Sequence, residues 1–151
     1  MNKVRFELPL LKPTGALRVT ARTQEEGALI AFLEIARTLD GMVRSIPQKG
    51  GKKYDWPGKI NFHLDLEELA AFKDFLVREP SDKNAFGIYH QTSDKKPKKL
   101  SVIKREPDSW IVKAEFEGKE TVLTLNRTDI SLLILGLTNL MESMLWKTAN
   151  Y

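Results

Sequence analysis

The sequence predicts an α+β fold made of two ββββα repeats, with twisted antiparallel sheets and two helices. Two matching strand-to-helix junctions, 61 residues apart (126 − 65), are the main observation behind this prediction. At each junction an alternating strand meets Asp65 or Asn126, whose side-chain oxygen can accept hydrogen bonds from the first N–H groups of a helix. An acid follows three residues later, Glu68 or Asp129, which is the spacing of a capping box. The chain therefore uses one plan twice, strands followed by a closing helix.

The first repeat is expected to contain four strands before its helix. Alternation of apolar and polar residues predicts strands at residues 3–8, 17–22 and 59–64. Pro9 and Pro13-Thr14-Gly15 are expected to end the first of them. Residues 27–39 are ambiguous, because a continuous apolar run suits a helix by propensity and also suits a strand that is buried on both faces. We favour a strand there, since the second repeat has strands in the matching positions.

The remaining elements follow the same two periodicities. An apolar stripe at helical spacing predicts α-helices at residues 66–78 and 127–147. The strands of the second repeat are expected at four segments: 85–92, 100–104, 110–116 and 119–125. We therefore expect a single domain over residues 1–151, which is a pseudo-repeat of residues 1–78 and 85–147.

Positive charge is concentrated in two segments of the chain. The net charge is 24 − 20 = +4, but residues 42–59 carry +4 and residues 95–105 carry +6, so the rest carries 4 − 10 = −6. Concentrated positive potential on an otherwise acidic body is typical of a protein that binds a polyanion. The alternative is a pair of solvated lysine loops that only improve solubility.

Several classes of function are not expected from this composition. The chain has no cysteine, which excludes disulfides and thiolate zinc sites and fits a reducing cytoplasm or a thermophile. We expect no signal peptide and no membrane-spanning run, and hence a cytoplasmic protein without a membrane partner. The two histidines, His63 and His90, lie on different predicted strands, and no catalytic motif is present. The expectation is therefore a non-enzyme with no metal and no cofactor.

One predicted loop combines lysines with aromatic rings. Proteins that bind single strands need a cationic groove for the phosphates and aromatic faces for the bases. Lys52, Lys53, Tyr54 and Trp56 supply both within five residues, in a loop that we expect to be exposed. The alternative for Trp56 is that its ring plugs the edge of the sheet or docks under the first helix.

Strand alternation adds candidate residues on the sheet faces opposite the core. These are Arg18 and Arg22 on the second strand, Lys59, Asn61 and His63 on the fourth, and Tyr89 on the fifth. With the two loop lysines, the basic side chains of this group are expected to contact phosphates, and Tyr89 is expected to stack on a base as Tyr54 and Trp56 do. The alternative is a sheet surface closed by salt bridges.

This combination of elements resembles the Whirly and PC4-like single-stranded DNA-binding proteins, and within them the ThermoDBP-related proteins of thermophilic archaea and bacteria. The resemblance covers nearly the whole chain. It rests on the element order, on Trp56-Pro57-Gly58-Lys59-Ile60-Asn61-Phe62 leading into the capped helix, and on the second capped helix. The Lys-Gly-Lys-Ala-Ala-Leu motif of plant Whirly proteins is absent. The resemblance implies largely sequence-independent binding of single-stranded DNA.

Two other functions fit the same residues, and an oligomer is expected with any of them. Stacking and phosphate contacts do not separate DNA from RNA, and a non-enzymatic interaction module would need its lysines only for solubility. The last helix is apolar beyond its main stripe, at Leu132, Leu135, Leu140 and Met144. Because such a face usually marks an interface, we expect a homodimer or homotetramer built through the C-terminal helix.

Overall fold

The computed structural model describes residues 3–24, 27–39, 53–78, 85–105 and 108–149. Within them the elements follow the predicted order, four strands and a helix, twice. The elements of the first repeat are β1 (Lys3–Leu11), β2 (Gly15–Thr23), β3 (Leu29–Arg37), β4 (Ile60–Leu64) and α1 (Leu66–Val77). Those of the second are β5 (Ala85–Gln91), β6 (Pro97–Arg105), β7 (Ser109–Phe116), β8 (Lys119–Asn126) and α2 (Arg127–Ala149).

Each repeat forms one four-stranded antiparallel sheet. The first sheet has the order β1-β2-β3-β4 and the second has the order β5-β6-β7-β8, so the strands lie side by side in chain order. Every pairing is therefore between neighbours in sequence, and the edge strands are β1 and β4 in one sheet and β5 and β8 in the other. The predicted α+β architecture of two antiparallel sheets and two helices is confirmed.

The ambiguous apolar run is a strand, β3, as we favoured. It pairs with β2 on one side and β4 on the other, so it lies inside the first sheet. Leu33 and Ile35 belong to the hydrophobic core, while Glu34 and Ala36 are buried on the opposite face. Burial on both faces explains why the sequence lacks the polar alternation of the other strands.

The prediction that Pro9 ends the first strand is wrong, because β1 continues to Leu11. Pro9 lies opposite Arg18 of β2 and is exposed. Proline cannot donate a hydrogen bond to a neighbouring strand, but β1 is an edge strand, where an N–H that faces away from the sheet is not needed. The position of the proline therefore marks the edge of the sheet rather than the end of the strand.

Both predicted capping boxes are present. The Glu68 amide donates to Asp65 Oδ1 over 2.8 Å, and the Asp65 amide donates to Glu68 Oε1 over 3.2 Å. In the second repeat the Asp129 amide donates to Asn126 Oδ1 over 2.9 Å, and the Asn126 amide donates to Asp129 Oδ2 over 2.8 Å. Each reciprocal pair satisfies amides that have no partner inside the helix, and this fixes where α1 and α2 begin.

One hydrophobic core joins both sheets and both helices. The helices contribute Leu69, Phe72 and Leu76 from α1 and Ile130, Leu133, Leu137 and Leu140 from α2. Gly136 lets α2 approach β1 closely, because a Cβ atom there would lie 2.6 Å from Leu8 Cδ2. A larger residue at this position would require the Leu8 side chain to move.

The outer stripe of α2 is narrower than predicted. Leu140 was expected to lie off the core stripe, but it is buried, and Met144 packs partly against the core. Because α2 packs against both sheets and against α1, more of its surface is buried than a single apolar stripe would account for. Leu132 and Leu135 remain exposed, the latter by 59%.

A stretch of α2, Arg127–Leu145, is long and apolar enough to cross a membrane by length and composition. The sequence interpretation had expected no such run. The core helix of a soluble protein meets the same criteria, and this stretch supplies Ile130, Leu133 and Leu137 to the core. We therefore treat α2 as a core helix.

Candidate nucleic-acid interface

Most of the predicted binding residues of the first repeat lie on the face of the first sheet that is turned away from the core, which we call the outer face. Strand pairing sets its side chains in two neighbouring rows: Arg18, Glu34 and Asn61 in one, and Thr20, Phe32 and His63 in the other. Alternation along each strand explains the arrangement, since every second residue points away from the core. The predicted placement of the polar side chains on one face is thus confirmed.

A buried carboxylate organises the basic residues of the outer face. Glu34 is only 1% exposed, and Arg18 Nε and Lys59 Nζ each lie 3.0 Å from one of its oxygens. Arg22 Nη2 lies farther away, 3.9 Å from Oε2. Burial raises the pKa of the Glu34 carboxyl, but the hydrogen bonds and charges of Arg18 and Lys59 outweigh it, so the pKa lies below its ordinary value. Glu34 is therefore an ionised anion surrounded by three cations.

The salt-bridge alternative holds for two of the predicted phosphate contacts. Arg18 also donates to Glu7 Oε1 over 3.2 Å, and its guanidinium stacks 3.9 Å above the centre of the Trp56 ring. Lys59 is held by Glu34. In this arrangement Arg18 and Lys59 are counter-ions of a buried acid, which the sequence interpretation did not foresee. Arg22 has the longest contact with Glu34 and, at 34%, the largest exposed fraction of the three cations.

The loop with the two rings is less open than predicted. Tyr54 is 8% exposed and packs against Ala16 and Ala36, and its hydroxyl donates to the Lys12 carbonyl over 2.7 Å. Burial raises the pKa of its phenol. The expectation of an exposed Tyr54 is therefore wrong: an isolated bridge to Thr38 draws the segment onto the end of β3, where small side chains leave room for the ring.

The other loop candidates differ from Tyr54. Trp56 is half-buried, packs beside Tyr54, and carries Arg18 over one face of its ring, so it is partly covered at the sheet rather than free in solvent. Lys53 lies with its ammonium 5.8 Å from the centre of the Tyr54 ring. Lys52 lies outside the described residues.

A groove between the two sheets brings three of the predicted residues together. Its volume is about 520 Å³, and it is lined by Asn61, His63, Tyr89, His90, Gln91, Thr92 and Lys98. We call it the inter-sheet groove, because its walls come from the edge strands β4 and β5 and from β6. Tyr89 is 56% exposed, and His63 is exposed with its ring 5.5 Å from that of Phe32. Residues from both repeats thus share one surface.

Sequence reasoning missed four groove residues as members of the site, His90, Gln91, Thr92 and Lys98, and two of these make contacts that shape the groove. Lys98 donates to the Asn61 carbonyl over 2.6 Å, and burial lowers the pKa of its ammonium. His90 Nε2 lies 2.6 Å from Glu68 Oε2, which links the groove to the capping box of α1. A signal was present: both residues are in phase with the core residues of their strands, Ile88 and Leu100, where a polar side chain is unusual.

Among the described residues, no group of three or more histidine, aspartate or glutamate side chains is arranged to hold a metal ion. The arrangement offers cations, exposed rings and hydrogen-bonding groups along one continuous surface. A scan against models of known protein families finds no match, and no curated protein matches the sequence. The function is therefore argued from the outer face and the inter-sheet groove.

Proposed function

We propose that the protein is a non-enzymatic binder of single-stranded nucleic acid, with DNA as the favoured ligand. The observation that carries the proposal is the inter-sheet groove, which is lined by the exposed rings of His63 from β4 and Tyr89 from β5. Asn61 belongs both to this groove and to the row of Arg18 and Glu34 on the outer face. A nucleic-acid strand bound along this surface would contact the cations of the outer face and then the rings of the groove.

The outer face supplies the phosphate contacts. Arg18, Arg22 and Lys59 carry +3, and Glu34 and Glu7 carry −2, so this cluster has a net charge of 3 − 2 = +1. A net positive surface attracts the backbone without regard to sequence, and each neutralised phosphate releases bound counter-ions. Affinity should therefore fall as salt is raised.

The inter-sheet groove supplies the base contacts. Its volume of about 520 Å³ lies within the usual range of ligand clefts, roughly 300–1,000 Å³, and exceeds what one flat base requires. An aromatic ring can stack on any base, so stacking on Tyr89 or His63 is tolerant of sequence. A base inside the groove has to leave its duplex partner, which favours single strands over double strands.

Fluorescence anisotropy with labelled oligonucleotides tests the proposal. We expect a single strand to bind more tightly than the matched duplex, and its affinity to fall with salt at a log–log slope of about −0.7 per phosphate contact. Competition between matched DNA and RNA strands decides between the two ligands, and stronger competition by RNA would reassign the protein as an RNA binder. No binding at low salt would reject the proposal and favour an interaction module.

The working unit is proposed to be a homodimer or homotetramer that pairs through α2. Leu132 and Leu135 are exposed on one side of this helix, where a second copy would cover them. Repeated binding surfaces in one assembly would raise the affinity for a long strand. Light scattering tests this: a Leu135→Glu variant should lower the mass of the particle without unfolding it, and a wild-type monomer at high concentration would reject it.

A further inference from the structure

Three buried polar atoms on the outer face lack hydrogen-bond partners among the described residues: Thr20 Oγ1, Arg22 Nε and Asn61 Oδ1. The first two lie two positions apart on the same face of β2. Thr20 is 2% exposed. Arg18 and Arg22 flank Thr20 on that face, and both reach toward Glu34. Buried polar groups are normally hydrogen-bonded. Buried donors without partners next to cations therefore indicate a site where a hydrogen-bond acceptor can bind.

The groups at this position favour one class of ligand. Arg22 Nε, the Thr20 hydroxyl and the Lys59 ammonium are all able to donate, and two of them are cationic. Such a set of donors binds an anionic oxygen. Within the protein, the Glu34 carboxylate already supplies one, 3.0 Å from the Lys59 ammonium. A phosphodiester offers the same charge and oxygens of similar reach.

We propose that Arg22, Thr20 and Lys59 form a phosphodiester subsite in which Glu34 is a built-in competitor for the cations. This rests on the proposed function, since the phosphodiester belongs to the bound strand. Arg22 makes the weakest contact with Glu34, at 3.9 Å, and is the most exposed of the three cations. When it turns to the phosphate, it uncovers the Thr20 hydroxyl.

The exchange leaves no buried charge without a partner. Arg18 stays on Glu34 through Nε at 3.0 Å, and it is itself held by Glu7 and by the Trp56 ring. Glu34 therefore keeps one cation while Arg22 and Lys59 contact the phosphate. The competitor lowers affinity, and removing its charge should raise it.

The first test compares Glu34→Gln with Glu7→Gln by anisotropy with a labelled single strand. Both variants remove one negative charge next to Arg18, but only Glu34 contacts Arg22 and Lys59. Glu34→Gln also releases Arg18 from the carboxylate, so we expect one further phosphate contact and a log–log salt slope steeper by about 0.7. If the variant and wild type bind alike at 1 M salt, the variant should bind roughly eightfold more tightly than wild type at 50 mM salt. Glu7→Gln should gain much less. Equal gains, or no gain for Glu34→Gln, would overturn the subsite.

The second test is Thr20→Val, which changes no charge. The hydroxyl makes no hydrogen bond within the described part of the chain, so the melting temperature should stay the same or rise. Binding of the single strand should weaken about tenfold, as expected for one hydrogen bond to a charged group. Because this variant retains the ion pairs, it decides the question even where Glu34→Gln folds poorly. A stable Thr20→Val protein with wild-type affinity would contradict the subsite.

The two levels of the proposal fail differently. No binding by the wild-type protein at low salt rejects the proposed function and the subsite with it. Wild-type binding without the expected changes in Glu34→Gln and Thr20→Val rejects the subsite alone. Circular dichroism of each variant shows which losses of affinity come from a change of fold.

Discussion

The outer face of the first sheet holds its charges around a buried carboxylate, whereas the corresponding face of the second sheet holds them in exposed pairs. In the first sheet, Glu34 lies beneath Arg18 and Lys59. In the second, Lys113 lies 2.9 Å from Glu115 and 3.4 Å from Glu120, and all three side chains are open to solvent. The two sheets therefore have the same strand order but differ in whether the charges on this face are buried or exposed.

The difference supports the outer face of the first sheet as the proposed binding face. Exposed ion pairs contribute little to stability and exchange freely with salt. A buried carboxylate with several cations holds the side chains of those cations in fixed orientations. Removing a cation destabilises the protein, because the buried charge then loses a partner. The first sheet thus presents oriented cations next to the inter-sheet groove, and the second presents exposed ion pairs together with exposed apolar side chains such as Ile103 and Val122.

The largest effect is expected on stability. Arg18→Met should lower the free energy of unfolding by about 3 kcal/mol, because it removes one partner of a buried charge. Lys113→Met is the matched control, since it removes a cation that bridges two acids on the second sheet. Its urea midpoint should stay at the wild-type value. Similar losses in both variants would show that the two faces do not differ as we describe.

Local rules were enough to predict much of this fold. The capping boxes at Asp65 and Asn126 involve residues three positions apart, so their geometry is set within a few residues. Alternation correctly predicted that Arg18 and Asn61 share a face, since side chains change sides at every step along a strand. The resemblance to a family of DNA-binding proteins stays a prediction.

Long-range contacts explain what the sequence did not reveal. The partners of Glu34 come from β2 and from the segment before β4, so its role depends on strand pairing, although one acid inside an apolar run was a signal. Tyr54 is buried because it meets Ala16 and Ala36, which are distant in sequence. Leu140 is buried because α2 is covered on more than one side.

A smaller effect is expected on the pH dependence of stability. The folded pKa of Glu34 lies below its ordinary value of 4.5, so its stabilising contribution is full above that pH and is lost as the pH falls through the folded pKa. Urea unfolding of wild type and Glu34→Gln down to about pH 3 should show their difference shrinking only below 4.5. A difference that does not change with pH would mean that Glu34 is not ionised in the folded protein.

The second sheet should give the opposite sign. Lys113 donates hydrogen bonds to Glu115 and Glu120, which raise the pKa of its ammonium, so its contribution is present below the ordinary value of 10.5 and is lost as the pH rises through the folded pKa. On the acid side the contribution is limited by Glu115, whose pKa Lys113 lowers. The small stability difference between Lys113→Met and wild type should therefore be flat only between the acid range, where Glu115 is protonated, and the alkaline range, where Lys113 titrates.

The smallest effect is expected on salt dependence. Arg22→Gln should make the log–log salt slope of single-strand binding shallower by about 0.7, since one phosphate contact is lost. Lys113→Gln removes one positive charge on the other sheet and should leave the slope unchanged. Anisotropy titrations over a salt series measure both, and equal slopes for the two variants would exclude a special role for Arg22.

The most direct measurement compares two double variants in binding a labelled single strand. His63→Ala with Tyr89→Ala removes the two exposed rings of the inter-sheet groove and leaves the half-buried ring of His90, and Ile103→Ala with Val122→Ala removes two exposed side chains from the second sheet. We predict that the groove variant loses about 2 kcal/mol or more, at about 1–3 kcal/mol per stacked base, while the second-sheet variant binds like wild type. Wild-type affinity in the groove variant, or an equal loss in both, would contradict the account.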